Sequence, residues 1–532
     1  MSPVARRGAV LAAGALGTVG SLLLAGVGNS GAPHPPAAYW PFVPPLSSIR
    51  VGGGQALTLS RVGLLLLVLG WVTLGALVQQ RAVRARSLLV ITGLWALPLL
   101  SSPPLFSDDA YDYAASGALQ THGLDPYLVG PHSLGASRVA GVVSPAWSRT
   151  PTPYGPGFLL ITRAISAVAG AHDIVAVTLL RVLAVIAVAV LAWVSVLLAR
   201  SLGRRSTPVL WAVVANPLVL TAYVGGAHND AIMMAMVVAA FLLHRRGHTV
   251  AALALTVLAA ELKVIAVIAT AVLLADLLRG RERPGSTLPA VRRAALRSAT
   301  AAAAFALLTS ALGLPLGHGL GGGWGWVGAL NVPGRVQTSV TPVDAVFDLL
   351  HPPLRVALPR NHRPMLPFDL QPLLLDLRAV ALSAATVGCA ALVLRVRRLG
   401  VERAAGLALL TVALLGTILW PWYLLWSLAL LAIAGAQRER ITVAALSVTL
   451  LWVSSPGGHT LWGDPRHAPG RVTADQLTIV IAVAVGAVLT VTRTGSRRRD
   501  ERQPTAGGRP RQMVTVAGVP AGPAWAALDA TL

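Results

Sequence analysis

Read for hydrophobic pattern alone, the chain is a succession of long apolar runs divided by short polar stretches. The runs fall at about 8–28, 58–79, 88–104, 173–199, 207–224, 230–244, 249–261, 263–278, 296–315, 373–394, 404–419, 421–436, 441–455 and 474–492. Many approach the roughly 20 apolar residues that carry an α-helix across a bilayer. Several are short, and 249–278 reads as a kinked pair of partial spans. The pattern predicts an all-α polytopic membrane protein of about 12–14 transmembrane helices.

Arginine orients the runs. Clusters stand at Arg6–Arg7, Arg81–Arg86, Arg200–Arg205, Arg245–Arg246, Arg279–Arg293, Arg395–Arg398, Arg438–Arg440 and Arg497–Arg499. All fall on one side, the cytoplasmic one by the positive-inside rule, if the chain crosses about fourteen times. Both termini are then cytoplasmic in a multi-pass plasma-membrane protein. The agreement requires that 155–171 (GPGFLLITRAISAVAGA) does not cross; it begins after prolines, carries Arg163 and reads as an interfacial helix. An uncleaved first span is favoured over a signal peptide because a long membrane domain follows. Two larger external loops result, about 105–172 and 317–372, the latter rich in Gly, Pro and Trp. The cytoplasmic loops are too short to hold a domain, so chemistry is expected on the outer face. Residues 1–495 form the membrane domain, and the Arg/Gly/Pro-rich stretch 496–532 reads as a disordered cytoplasmic tail.

Composition agrees. Of 532 residues 55% are hydrophobic and only 12% charged, about half the charged fraction of a soluble protein. A net charge of +23 would suggest nucleic acid, but the arginines sit between spans, so no nucleic-acid partner is expected. The single cysteine, Cys389, excludes an intramolecular disulfide.

Against this background a few polar clusters stand out. FSDDAYDYAASGAL places Asp108, Asp109 and Asp112 at the head of the first external loop, with Tyr111 and Tyr113 interleaved. Aspartates there cap a helix or start a solvated loop; at a membrane boundary beside tyrosines, one of them is also placed to take a proton from a sugar hydroxyl. Ser107-Asp108-Asp109 reads as a cap, and on the helix it opens Asp109 and Asp112 share a face. Lysine occurs once, as Lys263. It reads either as snorkelling beside Glu261 or as a compact ammonium meeting a phosphate within membrane depth. His228-Asn229-Asp230, between two apolar runs, is a tight turn or a donor-and-acceptor set for sugar or phosphate. Trp420-Pro421-Trp422-Tyr423-x-x-Trp426 is an interfacial aromatic belt or a stacking platform. Pro151-Thr152-Pro153-Tyr154-Gly155-Pro156 returns the long loop to the membrane. No His, Cys or carboxylate set stands at zinc-ligand spacing, so no metal is expected; a divalent ion is compatible with the chemistry without being required.

Taken in order, Ser107-x-Asp109-x-Tyr111-x-Tyr113-x-x-x-Gly117, Gly123-Leu-Asp125-Pro126-Tyr127, Gly130-Pro131, Thr152-Pro153-Tyr154-Gly155-Pro156, Asn216-Pro217, Gly226-x-His228-Asn229-Asp230, the Lys263 span and Trp420-x-x-Tyr423 resemble the actinobacterial polyprenol-phosphate-mannose-dependent α-(1→6)-mannosyltransferases. The resemblance covers roughly 100–430. It implies a GT-C-like bundle, and an inverting transfer of mannose from a polyprenyl-phosphate-mannose donor to a growing α-(1→6)-mannan or lipoglycan acceptor outside the membrane, with membrane lipids as surroundings. It implies Asp109 as the base, with Asp108 as a competing neighbour. Lys263, His228 and Arg335 would hold the donor phosphate. Asp112, Tyr111, Tyr113, Tyr127, Tyr154, Asn229, Asp230, Trp420 and Tyr423 would contact substrate. A GT-C enzyme using another polyprenyl-phosphate sugar is the nearest rival. A secondary transporter or lipid flippase is further off, because no internal repeat is seen and the acids cluster at one boundary, not within spans.

Overall fold

The computed structural model describes residues 2–28, 53–143, 147–170, 172–279, 290–316, 323–330, 341–343, 347 and 371–453. Arg335, most of the second predicted external loop, the predicted span 474–492 and the tail 496–532 lie outside these residues. The longer elements of the described part are all α-helices: α1 (Pro3–Gly28), α2 (Gly53–Gln79), α3 (Ala85–Leu100), α4 (Asp109–Thr121), α5 (Pro156–Ala169), α6 (Asp173–Ser201), α7 (Ser206–Val213), α8 (Asp230–Arg245), α9 (Thr249–Ala260), α10 (Val267–Arg279), α11 (Ala290–Gly313), α12 (Gln371–Leu394), α13 (Val401–Leu415), α14 (Leu425–Ala434) and α15 (Gln437–Val453).

Among the described residues five helices qualify as membrane spans by length and apolarity: Pro3–Gly28, Thr58–Gln79, Asp173–Ser201, Ser298–Leu316 and Pro372–Leu394. A sixth is counted if the bent pair Val219–Gly225 and Asp230–Arg245, which meet at 111°, is one broken span. The protein is therefore an all-α polytopic membrane protein. Its spans are apolar on both faces for different reasons. On α6, Leu180, Ala184, Leu191 and Leu198 are buried. Val182, Ile186, Val190 and Trp193 are exposed, as expected of a face turned to lipid. The first two helices approach closely through small residues: a Cβ on Gly20 would fall 2.6 Å from the Gly63 carbonyl oxygen. Polar side chains inside this packing find backbone acceptors. Trp71 and Trp211 each donate an indole N–H to the other's carbonyl, at 3.0 and 2.8 Å, with their rings stacked 4.5 Å apart.

Most expected runs appear as helices with shifted ends. Residues 207–224 do not form one continuous span. Helix α7 stops at Val213, Pro217 follows, and the chain resumes as a π-helical turn, Val219–Gly225. Proline lacks the N–H that an uninterrupted helix needs and disfavours the helical conformation of the residue before it. Asn216 fills the gap in part: its Oδ1 accepts from the Leu218 N–H at 2.9 Å, and its Nδ2 donates to Ser447 Oγ at 2.9 Å. The run 249–278 is indeed a broken pair, α9 and α10, with a non-helical step between them. The run 155–171 is the 14-residue helix α5, shorter than a crossing, with Phe158, Leu159, Thr162 and Ser166 buried.

Candidate active site

Four interruptions of the helices meet near one end of the bundle. The first is the entry to α4. Ser107, not Asp108, supplies the capping oxygen, accepting from the Asp109 N–H at 3.2 Å; Asp108 occupies the cap position without a side-chain cap bond. The second is the turn before α8, where His228, Asn229 and Asp230 are all buried. The third is the step between α9 and α10, where Lys263 is extended (φ −150°, ψ 118°). The fourth is the turn Pro421–Leu424 that opens α14. Phe106 and Ala227 carry positive φ, 63° and 55°. Such backbone costs a non-glycine residue on the order of 1 kcal/mol or more and persists only where surroundings hold it. One precedes Asp109 by three residues; the other immediately precedes His228.

These segments bring the predicted polar residues together. His228 Nδ1 lies 3.4 Å from Asp109 Oδ2, and the Tyr113 hydroxyl donates to the same oxygen at 3.4 Å. That hydroxyl is also 3.3 Å from Asn229 Oδ1. Next to this group, Asp230 Oδ1 accepts from Lys263 Nζ at 2.8 Å and from the Trp426 indole at 2.5 Å. The ammonium stands 5.0 Å from the Tyr423 ring centre, 5.4 Å from Trp426 and 5.8 Å from Tyr154. His228 stacks on Trp422 at 4.0 Å, and Trp422 on Trp420 at 5.2 Å. Lys263 therefore turns away from Glu261 and does not snorkel; Asp230 is its counter-ion.

The three aspartates differ in charge. Burial pushes Asp108 up to about 7 and Asp112 up to about 8, and the neighbouring Asp109 carboxylate adds to both shifts. Burial acts on Asp109 too, but hydrogen bonding and charge from His228, and the charge of Lys263, outweigh it and hold Asp109 below the usual carboxylate value. Asp109 is thus the member of the trio whose charged form its surroundings favour. Several buried polar atoms around it have no partner: His228 Nε2, Asn229 Nδ2, Asp230 Oδ2, the Trp422 indole nitrogen and the Tyr223 hydroxyl. Burying polar atoms unsatisfied is costly, and their concentration here marks a place shaped for a polar ligand.

The remaining predicted residues sit around this group. Tyr111 is buried in the cluster that backs α4, together with Tyr113, Tyr154 and Phe158. Tyr127 donates its hydroxyl to the Tyr154 carbonyl at 2.9 Å and packs in a separate cluster with Trp326. Trp420 is half-buried beside Trp422. Among the described residues no three His, Cys, Asp or Glu side chains are grouped to hold a metal.

Arg181 escaped the sequence reading, since one arginine inside an apolar run resembles neither a loop nor a motif. It is buried on α6 and donates to the carbonyls of Leu100 (3.1 Å), Ser102 (2.5 Å) and Gly225 (2.8 Å). It thereby ties the segment that leads to Asp109 to the one that leads to His228. The Leu105 N–H also bonds Gly225 O, at 3.3 Å. The one signal available in sequence was its position, an ionisable group at membrane depth.

Residues 14–279 match a family profile described as alpha-(1→6)-mannopyranosyltransferase, N-terminal domain, and residues 363–495 one described as MptB C-terminal domain. The chain is 32% identical over 421 residues, 78% of each chain, to alpha-(1→6)-mannopyranosyltransferase A of Mycobacterium tuberculosis. It is 31% identical over 490 residues, 82% of this chain and 80% of the relative, to another alpha-(1→6)-mannopyranosyltransferase of that organism. To alpha-(1→6)-mannopyranosyltransferase A of Corynebacterium glutamicum it is 30% identical over 329 residues, 57% of this chain and 66% of the relative. No solved structure matches it.

Proposed function

The chain belongs to the alpha-(1→6)-mannopyranosyltransferase family, and from that premise we propose that it moves mannose from a polyprenyl-phosphate-mannose donor to an α-(1→6)-mannan acceptor at the outer face of the membrane. It is a hexosyltransferase. The observation that carries the finer reading is the meeting of Asp109 with Lys263 and His228 around buried polar atoms that lack partners.

The proposed reaction is a single displacement at the anomeric carbon. The acceptor hydroxyl gives its proton to Asp109 and its oxygen bonds to C1 of the mannose. The C1–O bond to phosphate breaks, and the bonding pair leaves with the polyprenyl phosphate. One displacement turns a β-linked donor into an α-linked product. A base must be ionised to accept the proton, which favours Asp109 over the raised Asp108 and Asp112. Lys263, held by Asp230, and the Nε2 edge of His228 offer charge-assisted hydrogen bonds to the leaving phosphate, where negative charge grows. Tyr423, Trp426 and Tyr154 surround the ammonium and exclude water from it, which strengthens its pull on an anion. Asn229 and the Trp422 indole nitrogen offer unused donors to sugar hydroxyls. On this reading Arg181 positions both halves of the site without touching substrate.

Membranes carrying the protein, supplied with radiolabelled polyprenyl-phosphate-mannose and an α-mannoside acceptor, test this. Wild type should transfer label, and Asp109→Asn should lose about a thousandfold of the rate, within the roughly hundred- to ten-thousandfold that a general base contributes. Equal rates for the two, or no transfer by wild type, would overturn the mechanism.

A further inference from the structure

The step between α9 and α10 turns two neighbouring charges in opposite directions. Lys263 joins the polar group around Asp230 described above. Glu261 instead meets Thr309, in a second buried group. A Cβ on Gly155 would fall 2.3 Å from the Glu261 carbonyl oxygen, so the Thr152–Pro156 turn lies directly on this step; only glycine permits that approach. The Glu261 side chain is 1% exposed. Its Oε1 accepts from Thr309 Oγ1 at 2.5 Å, while its Oε2 has no partner.

The side chains packed near Glu261 are largely aromatic. Tyr127, Trp326, Leu159 and Leu316 form one buried cluster, against which Val264, Phe305 and Trp324 pack. Trp324 and Trp326 face each other at 6.3 Å with 25° between their planes, and Trp324 donates to Ser310 Oγ, one residue from Thr309, at 3.1 Å. The Trp326 indole nitrogen is buried and, like Glu261 Oε2, unpartnered. Val264, three residues on from Glu261, packs against the same cluster as Tyr127. Through its hydroxyl Tyr127 also holds the carbonyl of Tyr154, whose ring faces Lys263. The two groups are thus adjacent, divided by Tyr154.

An unused acceptor and an unused donor among indole and phenol rings suit one ligand chemistry. An anion would be repelled by Glu261. A cation would meet the positive edge of an indole N–H. A neutral sugar has hydroxyls that donate to a carboxylate and accept from an indole, and C–H faces that lie on rings. We propose that Glu261, Tyr127, Trp324 and Trp326 form a second subsite that holds a neutral hexose of the acceptor glycan, one or more units back from the hydroxyl that reacts at Asp109. This rests on the mannosyl-transfer reading for the acceptor's identity, whereas the sugar-binding character rests on the second group alone.

The test uses purified full-length protein and two probes, methyl α-mannoside and an alkyl α-(1→6)-mannobioside. Binding is read by saturation-transfer NMR without donor, and transfer is then measured with donor. Wild type should bind the disaccharide. Trp326→Phe, which keeps the ring and removes the donor, and Glu261→Gln should each weaken it about tenfold, the loss of one such hydrogen bond. KM for the disaccharide should rise in parallel, while KM for the lipid donor, kcat, and KM for methyl α-mannoside stay within twofold. Disaccharide binding that is absent in wild type, or equal in wild type and Trp326→Phe, would overturn the subsite, as would an equal rise in donor KM. Binding that follows the expected pattern in a protein that transfers no mannose would leave the subsite standing and defeat the proposed function instead. Glu261→Gln is checked for folding by its thermal midpoint, and Trp326→Phe carries the decision if that variant unfolds.

Discussion

Helix α8 links two polar regions of opposite character. Asp230 begins it and Arg245 ends it, about 22 Å away at 1.5 Å per residue. At the Arg245 end the described acids are matched. Glu402 accepts from Arg245 Nε and Nη2 at 2.5 and 3.2 Å. Glu439 accepts three bonds from Arg403, at 2.6–3.0 Å, and one from the Ala436 N–H at 2.8 Å. His244 meets Asp276 at 3.2 Å. At the Asp230 end similar residue types leave His228, Asn229, Asp230 and Trp422 with buried atoms unused. Both ends contain carboxylates, nitrogen donors and buried backbone. Saturation distinguishes them: one end spends its polar groups on joining helices, and the other keeps them for a ligand.

That contrast is open to attack from both sides. The largest expected effect is at Arg181, which ties together the two segments of the unsaturated end. Arg181→Met removes three carbonyl partners and should lower kcat about a hundredfold, since small displacements of catalytic groups carry such losses. Arg181→Lys should recover part of the rate with the pH profile unchanged. Methionine variants that transfer at the wild-type rate would show that the clamp has no part in positioning Asp109 and His228.

The second effect lies at the saturated end. Glu402→Gln should leave transfer rates within twofold and destabilise by about 2 kcal/mol, because an arginine loses a nearly buried partner. Thermal unfolding in detergent, followed by intrinsic fluorescence, reads this as a midpoint lower by on the order of a few degrees. An activity loss without a stability loss would erase the distinction between the two ends.

The smallest is a pH slope. Asp112 keeps its proton in the folded protein up to about 8, against an ordinary value of 3.8. The folded state therefore binds more protons than the unfolded one between those values, and stability falls as pH rises through that window. Asp112→Asn, neutral throughout, should flatten the decline in unfolding midpoint between pH 5 and 8 and stabilise slightly at the upper end. A slope unchanged by the substitution would reassign it to another group.

Much of the architecture was legible because its causes are local. A run of apolar residues must form a helix in a bilayer to satisfy its own backbone, so the spans 8–28, 58–79, 173–199 and 373–394 appear nearly where they were expected. The break at Asn216-Pro217 was legible too, but an apolar count carried a span across it. For the site, rarity was informative: one lysine in the chain, doubled acids at a boundary, and His-Asn-Asp between two apolar runs.

The sequence by itself determined the class, the helical elements, and the residue types available for chemistry, because hydropathy and proline act over a few neighbours. It could not pair Lys263 with Asp230, 33 positions earlier, in place of Glu261, two positions away. Nor could it tell which of three clustered aspartates has its charged form favoured. Those outcomes depend on contacts between elements distant in sequence: the turn of chain between α9 and α10, the carbonyls gathered by Arg181, and the charges placed around Asp109. Electrostatic energy in a buried site follows spatial distance, and tertiary packing alone sets those distances.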